Sequence, residues 1–322
     1  MKPSRIAIHF YCRRIIINNK SMLDQQGPLL IAANHPNSFL DAIIIATLFK
    51  SPVYSLARGD VFIGKIINKI WHSFNVLPIY RISEGSEKLE NNYTTFEACQ
   101  KLFEQKKIVL IFSEGQCVNE WKLRPLKKGT ARLAITAWQQ NIPLKVLPAG
   151  INYSSFKKYG KTLILNFGNI IEQNELHENM ASGKAIHEFN KKLKIQLETL
   201  VYEIQDNDPE TLKRYFFKKT SFIEKAILFF PAMIGFILNA PLYTLIHLII
   251  KRKAADHYDS IMTGLLFFLY PLYILLITLM VVFITKNLLA FFLLLLFPLS
   301  TLCYLHFKNV IPANKKCKTK IG

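Results

Sequence analysis

The stretch Leu29-Leu30-Ile31-Ala32-Ala33 runs straight into Asn34-His35-Pro36-Asn37-Ser38, and then into Phe39-Leu40-Asp41-Ala42-Ile43-Ile44-Ile45. Its first five residues are apolar without a break, and they follow the turn pair Gly27-Pro28. A short run of this kind is expected of a strand buried on both faces, as in a parallel sheet covered by helices. From about Asp41 onward the pattern reads as a helix. The polar loop between the two carries a histidine. Loops at the carboxyl ends of strands in open α/β sheets are where ligands bind, so chemistry is sought here first.

The same alternation continues along the chain. Short apolar runs at 53–56, Ile108–Phe112, 144–148 and 163–167 read as strands, and stretches at 41–49, 65–74, 87–105, 130–140 and 185–205 as helices. Strands alternating with helices predict an α/β domain with a mostly parallel sheet flanked by helices. This domain is expected over residues 1–220, because beyond Thr220 Leu, Ile, Phe and Tyr replace the mixture of charged and apolar residues.

Residues 221–322 are expected to form an α-helical membrane region. The apolar stretches 260–285 and 288–307 are each long enough to cross a bilayer, and only Lys286-Asn287 separates them, which predicts a tight helical hairpin. The stretch 226–250 is interrupted by Pro231, Asn239, Pro241 and His247, and reads as a broken re-entrant or interfacial segment or as a third span. The distribution of positive charge separates these readings. With two spans the basic domain, Lys251-Arg252-Lys253 and the tail Lys315-Lys316-Cys317-Lys318-Thr319-Lys320 share one side; with three spans the domain and the tail are on opposite sides. The two-span arrangement fits the rule better. It predicts a multi-pass protein of the cytoplasmic membrane, or an ER-type membrane in a eukaryote, with the α/β domain facing the cytosol.

Lys and Arg number 41 against 22 Asp and Glu, a formal net charge of +19. Such a surplus favours an anionic partner. With a hydrophobic region on the same chain, the expected partner is an anionic membrane rather than nucleic acid, for which no motif is present. The five cysteines, Cys12, Cys99, Cys117, Cys303 and Cys317, include no C-x-x-C pair and have no His at ligand spacing, so neither a disulfide framework nor a metal site is expected. Near the N-terminus, Ile6 to Tyr11 and Ile15-Ile16-Ile17 are broken by Arg13-Arg14, unlike a signal peptide. This segment either lies on an anionic membrane or packs as a first helix.

His35 suits general-base chemistry because an imidazole titrates near neutral pH, and Asp41 is close enough in sequence to orient it. Such a pair is the His–Asp half of a triad, and it needs no serine if the substrate alcohol itself loses the proton. The alternative is structural. Ser38-Phe39-Leu40-Asp41 also reads as a capping box, with Ser38 as N-cap and Asp41 in the first turn. Cys117 has no evident partner base near it in sequence, so a nucleophilic role for it is not expected.

Asn34-His35 with the nearby Asp41, after a buried strand, resembles the first motif of the glycerolipid acyltransferases, the family of the 1-acylglycerol-3-phosphate acyltransferases of PlsC type. Three further blocks follow in that family's order. They are Arg58 with Asn75-Val76-Leu77-Pro78-Ile79-Tyr80-Arg81; Phe112-Ser113-Glu114-Gly115 with Leu126-Lys127-Lys128-Gly129; and Ile142-Pro143 through Val146-Leu147-Pro148. Each block alone is weak, but four in order are specific, and together they cover roughly residues 10–200.

The resemblance implies transfer of a fatty acyl group from acyl-CoA or acyl carrier protein to a hydroxyl of glycerol 3-phosphate or 1-acylglycerol 3-phosphate in phospholipid biosynthesis. His35 is then the general base and Asp41 its support. Arg81 contacts the acceptor phosphate, and a guanidinium suits that task. Glu114 orients the glycerol hydroxyls, and Gly115 lets the backbone approach the ligand. Lys127 and Lys128, at the start of a helix, attract phosphate. Pro148 shapes the acyl side. No cofactor is implied beyond the acyl donor as co-substrate.

Three departures from the family pattern stand out. The usual His-x4-Asp is His-x5-Asp here, a spacing similar to that of fungal glycerol-3-phosphate acyltransferases. Asn75 stands where Gly is usual, and Gln116-Cys117 follows Glu114-Gly115 in place of Thr and a basic or small polar residue. Arg124, Lys127 or Lys128 can replace the basic group missing there. The departures leave open a transacylase, or an acyltransferase for another lipid acceptor. A basic membrane-binding protein without catalysis is the remaining alternative.

Overall fold

Every residue of Leu29–Ala33 is fully buried, and this run is a central strand. The computed structural model describes residues 8–59, 64–79, 86–177, 183–205, 208–217, 221–250 and 257–308. Seven strands are named in chain order: β1 (Cys12–Asn18), β2 (Leu29–Ala33), β3 (Val53–Arg58), β4 (Val76–Ile79), β5 (Ile108–Phe112), β6 (Lys145–Tyr153) and β7 (Lys161–Phe167). They form one sheet in the order β1-β7-β6-β2-β5-β3-β4. β2 pairs in parallel with β5 on one side and β6 on the other, and β3 pairs in parallel with both β5 and β4.

The α/β class with a mostly parallel sheet is therefore the observed one. Helices α1 (Phe39–Leu48), α2 (Lys65–Ser73), α3 (Ser86–Glu104), α4 (Gly129–Gln139) and α5 (Gly183–Leu200) connect or follow the strands. Two strands have no counterpart in the apolar pattern. Val76–Ile79 carries a proline, which lacks a ladder N–H, and it lies at the sheet edge where that is tolerated. Ile15-Ile16-Ile17 belongs to β1, at the opposite edge, so the reading as a first helix fails for Cys12–Asn18. Its flanking arginines obscure the alternation of an edge strand.

The described chain falls into two compact units. One comprises Ile16–Asn152 and Ile164–Glu203. Its core includes Ala185, Phe189, Leu193 and Leu197, one face of α5 at four-residue spacing, all at 0% exposure. Trp138 of α4 is buried against Phe189 and donates its indole N–H to the Leu144 carbonyl at 2.9 Å, so the ring is desolvated without an orphaned donor.

The other unit holds Tyr153–Leu163, the described residues before Ile16 and those from Ile204 on. Its helices are α6 (Pro209–Phe216), α7 (Phe222–Ile250), α8 (Tyr258–Thr285) and α9 (Leu293–Phe307), the last entered through a 3-10 turn at Leu288–Phe292. Three helices among the described residues are long and apolar enough to cross a membrane: Phe222–Ile250, Tyr258–Thr285 and Leu288–Phe307. The hairpin expected at Lys286-Asn287 is built by two local devices. Lys286 takes a left-handed conformation, and the Asn287 side chain caps the Leu289 N–H at 2.9 Å.

α7 is helical on both sides of Pro231 and Pro241, and its contacts with the other helices require a bend at these prolines. Neighbouring helices can compensate for the missing proline N–H groups in an apolar setting. Gly235 allows α7 to touch α9, since a Cβ there would meet the Ser300 carbonyl oxygen at 2.1 Å. Asn239 reaches Thr301 at 2.8 Å, and Tyr270 of α8 reaches the same hydroxyl at 2.9 Å. Both ends of α7 meet the same end of the α8–α9 pair. Phe229 packs on Phe307 near the close of α9, and His247 bonds Tyr258 at the start of α8. That end also carries a buried polar cluster in which Lys161 and Tyr11 both bond Asp259. Lys161 and Asp259 are at most 1% exposed, so pairing is what makes their burial tolerable.

Candidate active site

β2 and β5 are neighbours in register, Ala33 beside Phe112, so the loops that leave their carboxyl ends face each other. The first loop carries His35 and the second Glu114. Asn34 ties the first loop to β6. Its amide donates to the Ile151 carbonyl at 3.1 Å and accepts from the Ile151 N–H at 2.7 Å. The side chain thus continues the ladder one step beyond the strand, and the next residue leaves the sheet at a defined point.

His35 Nδ1 lies 3.0 Å from Asp41 Oδ2, and the same oxygen accepts the Asn37 N–H at 2.8 Å. Asp41 is wholly buried, and the His35 side chain is 17% exposed. A carboxylate only accepts, so Nδ1 carries the proton and Nε2 of the neutral ring is the basic nitrogen. The imidazole stacks on Phe112 with centroids 3.8 Å apart and planes 9° from parallel. The ring is therefore fixed on one face by an aromatic and at one nitrogen by a carboxylate.

The capping-box reading is corrected. Ser38 stands at the N-cap of α1, but its hydroxyl caps nothing. Its backbone has φ 52° and ψ −143°, unlike the extended conformation usual at a capping position. Asp41 spends its Oδ2 on His35 and Asn37. The first turn of α1 thus presents this carboxylate to the loop before it.

Glu114 has a task that its sequence context did not reveal. Oε2 accepts the His35 N–H and Oε1 the Arg124 N–H, each at 2.8 Å, with the side chain buried. Burial lifts its carboxyl above the ordinary value, and the two amide bonds oppose that shift. Around this bridge the two loops are laced together. The Val118 N–H reaches the His35 carbonyl at 3.3 Å, Asn119 reaches the Pro36 carbonyl at 2.7 Å, and the Ser38 N–H reaches Cys117 Sγ at 2.9 Å. Sequence reasoning missed Asn119 and Cys117 as members of the site, because their partners lie about eighty residues away.

Gly115 has φ +65°, a left-handed conformation that only glycine adopts freely, and a Cβ there would stand 3.0 Å from Lys127 Cγ. Lys127 and Lys128 are exposed and immediately precede α4. The Lys127 N–H is held by the Ser113 carbonyl at 2.7 Å and Thr130 bonds Ser113 at 3.0 Å, so the start of α4 is anchored to the turn that carries Glu114. Helix N-termini attract anions through their free N–H groups. The structure therefore groups His35, Asp41, Glu114 and Gly115, and anchors the backbone of Lys127 beside them. Pro148 pairs with Ala32 inside the sheet. Arg81 lies outside the described residues.

A profile of the Acyltransferase family matches residues 14–152. The chain is 22% identical over 165 residues to the chloroplastic 1-acyl-sn-glycerol-3-phosphate acyltransferase BAT2 of Brassica napus, which covers 51% of this chain and 45% of that protein. This chain thus spans about half the length of the curated relative that it matches. Among solved structures, the 1-acyl-sn-glycerophosphate (LPA) acyltransferase PlsC from Thermotoga maritima aligns with a TM-score of 0.45 at 10% identity. That alignment covers 68% of this chain and 80% of the other.

Proposed function

We propose that residues 14–152, which match the Acyltransferase family profile, form a glycerolipid acyltransferase domain of PlsC type, and that the chain esterifies a glycerophosphate alcohol. The acyl group comes from acyl-CoA or acyl carrier protein, and the acceptor is glycerol 3-phosphate or 1-acylglycerol 3-phosphate. The observation that carries this reading is the 3.0 Å contact of His35 Nδ1 with a fully buried Asp41.

In the reaction, Nε2 of His35 removes the proton from the acceptor hydroxyl as its oxygen attacks the thioester carbonyl. The C–O bond forms, the C–S bond breaks, and the imidazolium returns its proton to the departing thiolate. An ester and a free thiol result, with no acyl-enzyme. Asp41 stabilises the transient imidazolium and holds the ring in the right tautomer. Most of the remaining catalysis comes from holding the two substrates in line. Lys127 and Lys128, with the N-terminus of α4, receive the phosphate, and Arg81 assists them.

We infer the membrane arrangement from the contacts of α7. Because both its ends meet one end of the α8–α9 pair, we take α8 and α9 as the crossing hairpin and α7 as re-entrant. The α/β domain then shares the cytosolic side with Lys251-Arg252-Lys253 and the lysine tail, as the charge rule favours.

The test is a thiol-release assay on the full-length protein with each acyl donor against a panel of acceptors, run beside His35→Ala. Release is expected with a glycerophosphate acceptor, and His35→Ala should lower it on the order of 10²–10⁴-fold. Undiminished activity in His35→Ala removes the proposed base. A best substrate among other lipid alcohols reassigns the acceptor.

A further inference from the structure

Five residues separate His35 from Asp41, and the chain must still bring their side chains to 3.0 Å. Ser38 absorbs the excess. Its φ of 52° with ψ of −143° lies in a region that L-residues avoid and glycine enters freely. Such a conformation persists only where the surroundings over-determine it. Two bonds hold it here: the Ser38 carbonyl accepts the Asp41 N–H at 3.2 Å, and the Ser38 N–H points at Cys117 Sγ, 2.9 Å away. The first bond is helix-forming and pulls Asp41 into the opening turn of α1. The second comes from the opposite loop. Cys117 itself is anchored, since Glu114 before it and Val118 and Asn119 after it all bond the His35–Pro36 backbone.

We propose that Cys117 is a positioning residue: its sulfur pins the strained Ser38 backbone and thereby sets the His35–Asp41 distance. The inference rests on the reading of His35 as the base, and it assigns the thiol a role as acceptor rather than nucleophile. The thiol neither bonds to substrate nor changes oxidation state. Serine can replace it, because a hydroxyl also accepts an N–H; alanine cannot. Glycine at position 38 makes the sulfur dispensable, because the same backbone is then unstrained.

The experiment is a double-mutant cycle on the full-length protein, with kcat and KM measured separately and a second readout that needs no turnover. That readout is the low-field proton resonance of the hydrogen-bonded His35 Nδ1–H, identified by its loss in His35→Ala. Cys117→Ala is expected to lower kcat about tenfold, equivalent to about 1.4 kcal/mol, with little change in KM, and to weaken the resonance. Cys117→Ser should retain both. In a Ser38→Gly background the effect of Cys117→Ala should shrink to about twofold and the resonance return. Equal effects of Cys117→Ala in the two backgrounds, or a wild-type resonance in Cys117→Ala, overturns the proposal. If the wild type transfers no acyl group yet the resonance follows the cycle as stated, the function assigned to the site fails and the coupling stands.

Discussion

Replacing Asp41 with asparagine isolates charge from shape at the centre of the site. Two hydrogen bonds to this side chain converge on one oxygen, from His35 at 3.0 Å and from Asn37 at 2.8 Å. An amide oxygen can occupy the same place and accept both. The variant therefore keeps these two contacts, and with them the ring orientation and the tautomer, and a buried neutral amide costs less desolvation than a carboxylate. Stability should change by less than about 1 kcal/mol. What disappears is the attraction between the carboxylate and the imidazolium formed during proton transfer. At 3.0 Å and an effective dielectric constant of about 20, that attraction is about 5 kcal/mol. The ring is 17% exposed, so part of it is screened, and about 3–5 kcal/mol should be added to the barrier. In rate this is roughly 10²–10⁴-fold in kcat. Thiol release under saturating donor and acceptor measures it, with thermal unfolding in detergent as the control. An Asp41→Asn enzyme that keeps more than half the wild-type kcat at unchanged melting temperature refutes the argument that this charge assists the base. Asp41→Ala is the weaker experiment, since it strands two buried donors at about 1–3 kcal/mol each.

Glu114→Gln should destabilise the protein by about 1–3 kcal/mol, because one of the two amides that Glu114 bridges then faces an NH₂. Its pH dependence has a definite sign: burial raises the Glu114 carboxyl in the folded state, so the native protein takes up that proton first as pH falls. Wild type should therefore gain stability relative to Glu114→Gln between the raised folded value and the ordinary 4.5, and urea midpoints at several pH values measure it. Gly235→Ala should loosen the membrane helices, because the new methyl meets the Ser300 carbonyl at 2.1 Å; a loss of about 1–3 kcal/mol, read as faster proteolysis or a lower melting temperature in detergent, is expected. In a variant whose only cysteine is Cys317, an impermeant thiol reagent should label the tail from the side of the α/β domain; labelling only from the other side means that α7 crosses.

Much of the α/β layout is legible in residue patterns because it rests on local periodicity. The runs Leu29–Ala33 and Ile108–Phe112 are short, continuously apolar and strand-forming in the structure, and Lys286-Asn287 closes the helical hairpin where its spacing predicts. The edge strands were less legible, since an edge needs neither continuous apolarity nor every N–H, and Arg13-Arg14 and Pro78 obscure them. Pro231 and Pro241 interrupt the pattern of 226–250, and what they do to α7 is decided by its contacts with α8 and α9.

The sequence by itself determined the chemistry available to this protein: a histidine and an aspartate flanking one strand–helix junction, a surplus of positive charge, and three apolar stretches of bilayer length. It could not decide whether Asp41 caps a helix or supports a base, because a capping box and a catalytic loop draw on the same residue types. Only tertiary structure settled where that carboxylate points, to His35 Nδ1 and the Asn37 N–H, while Ser38 makes no side-chain cap. It also gave Glu114 and Cys117 their partners, each 79 residues away across the β2–β5 pair. Local preferences are set by neighbours in sequence. The meeting of two loops is set by strand order and register, and no single segment encodes either.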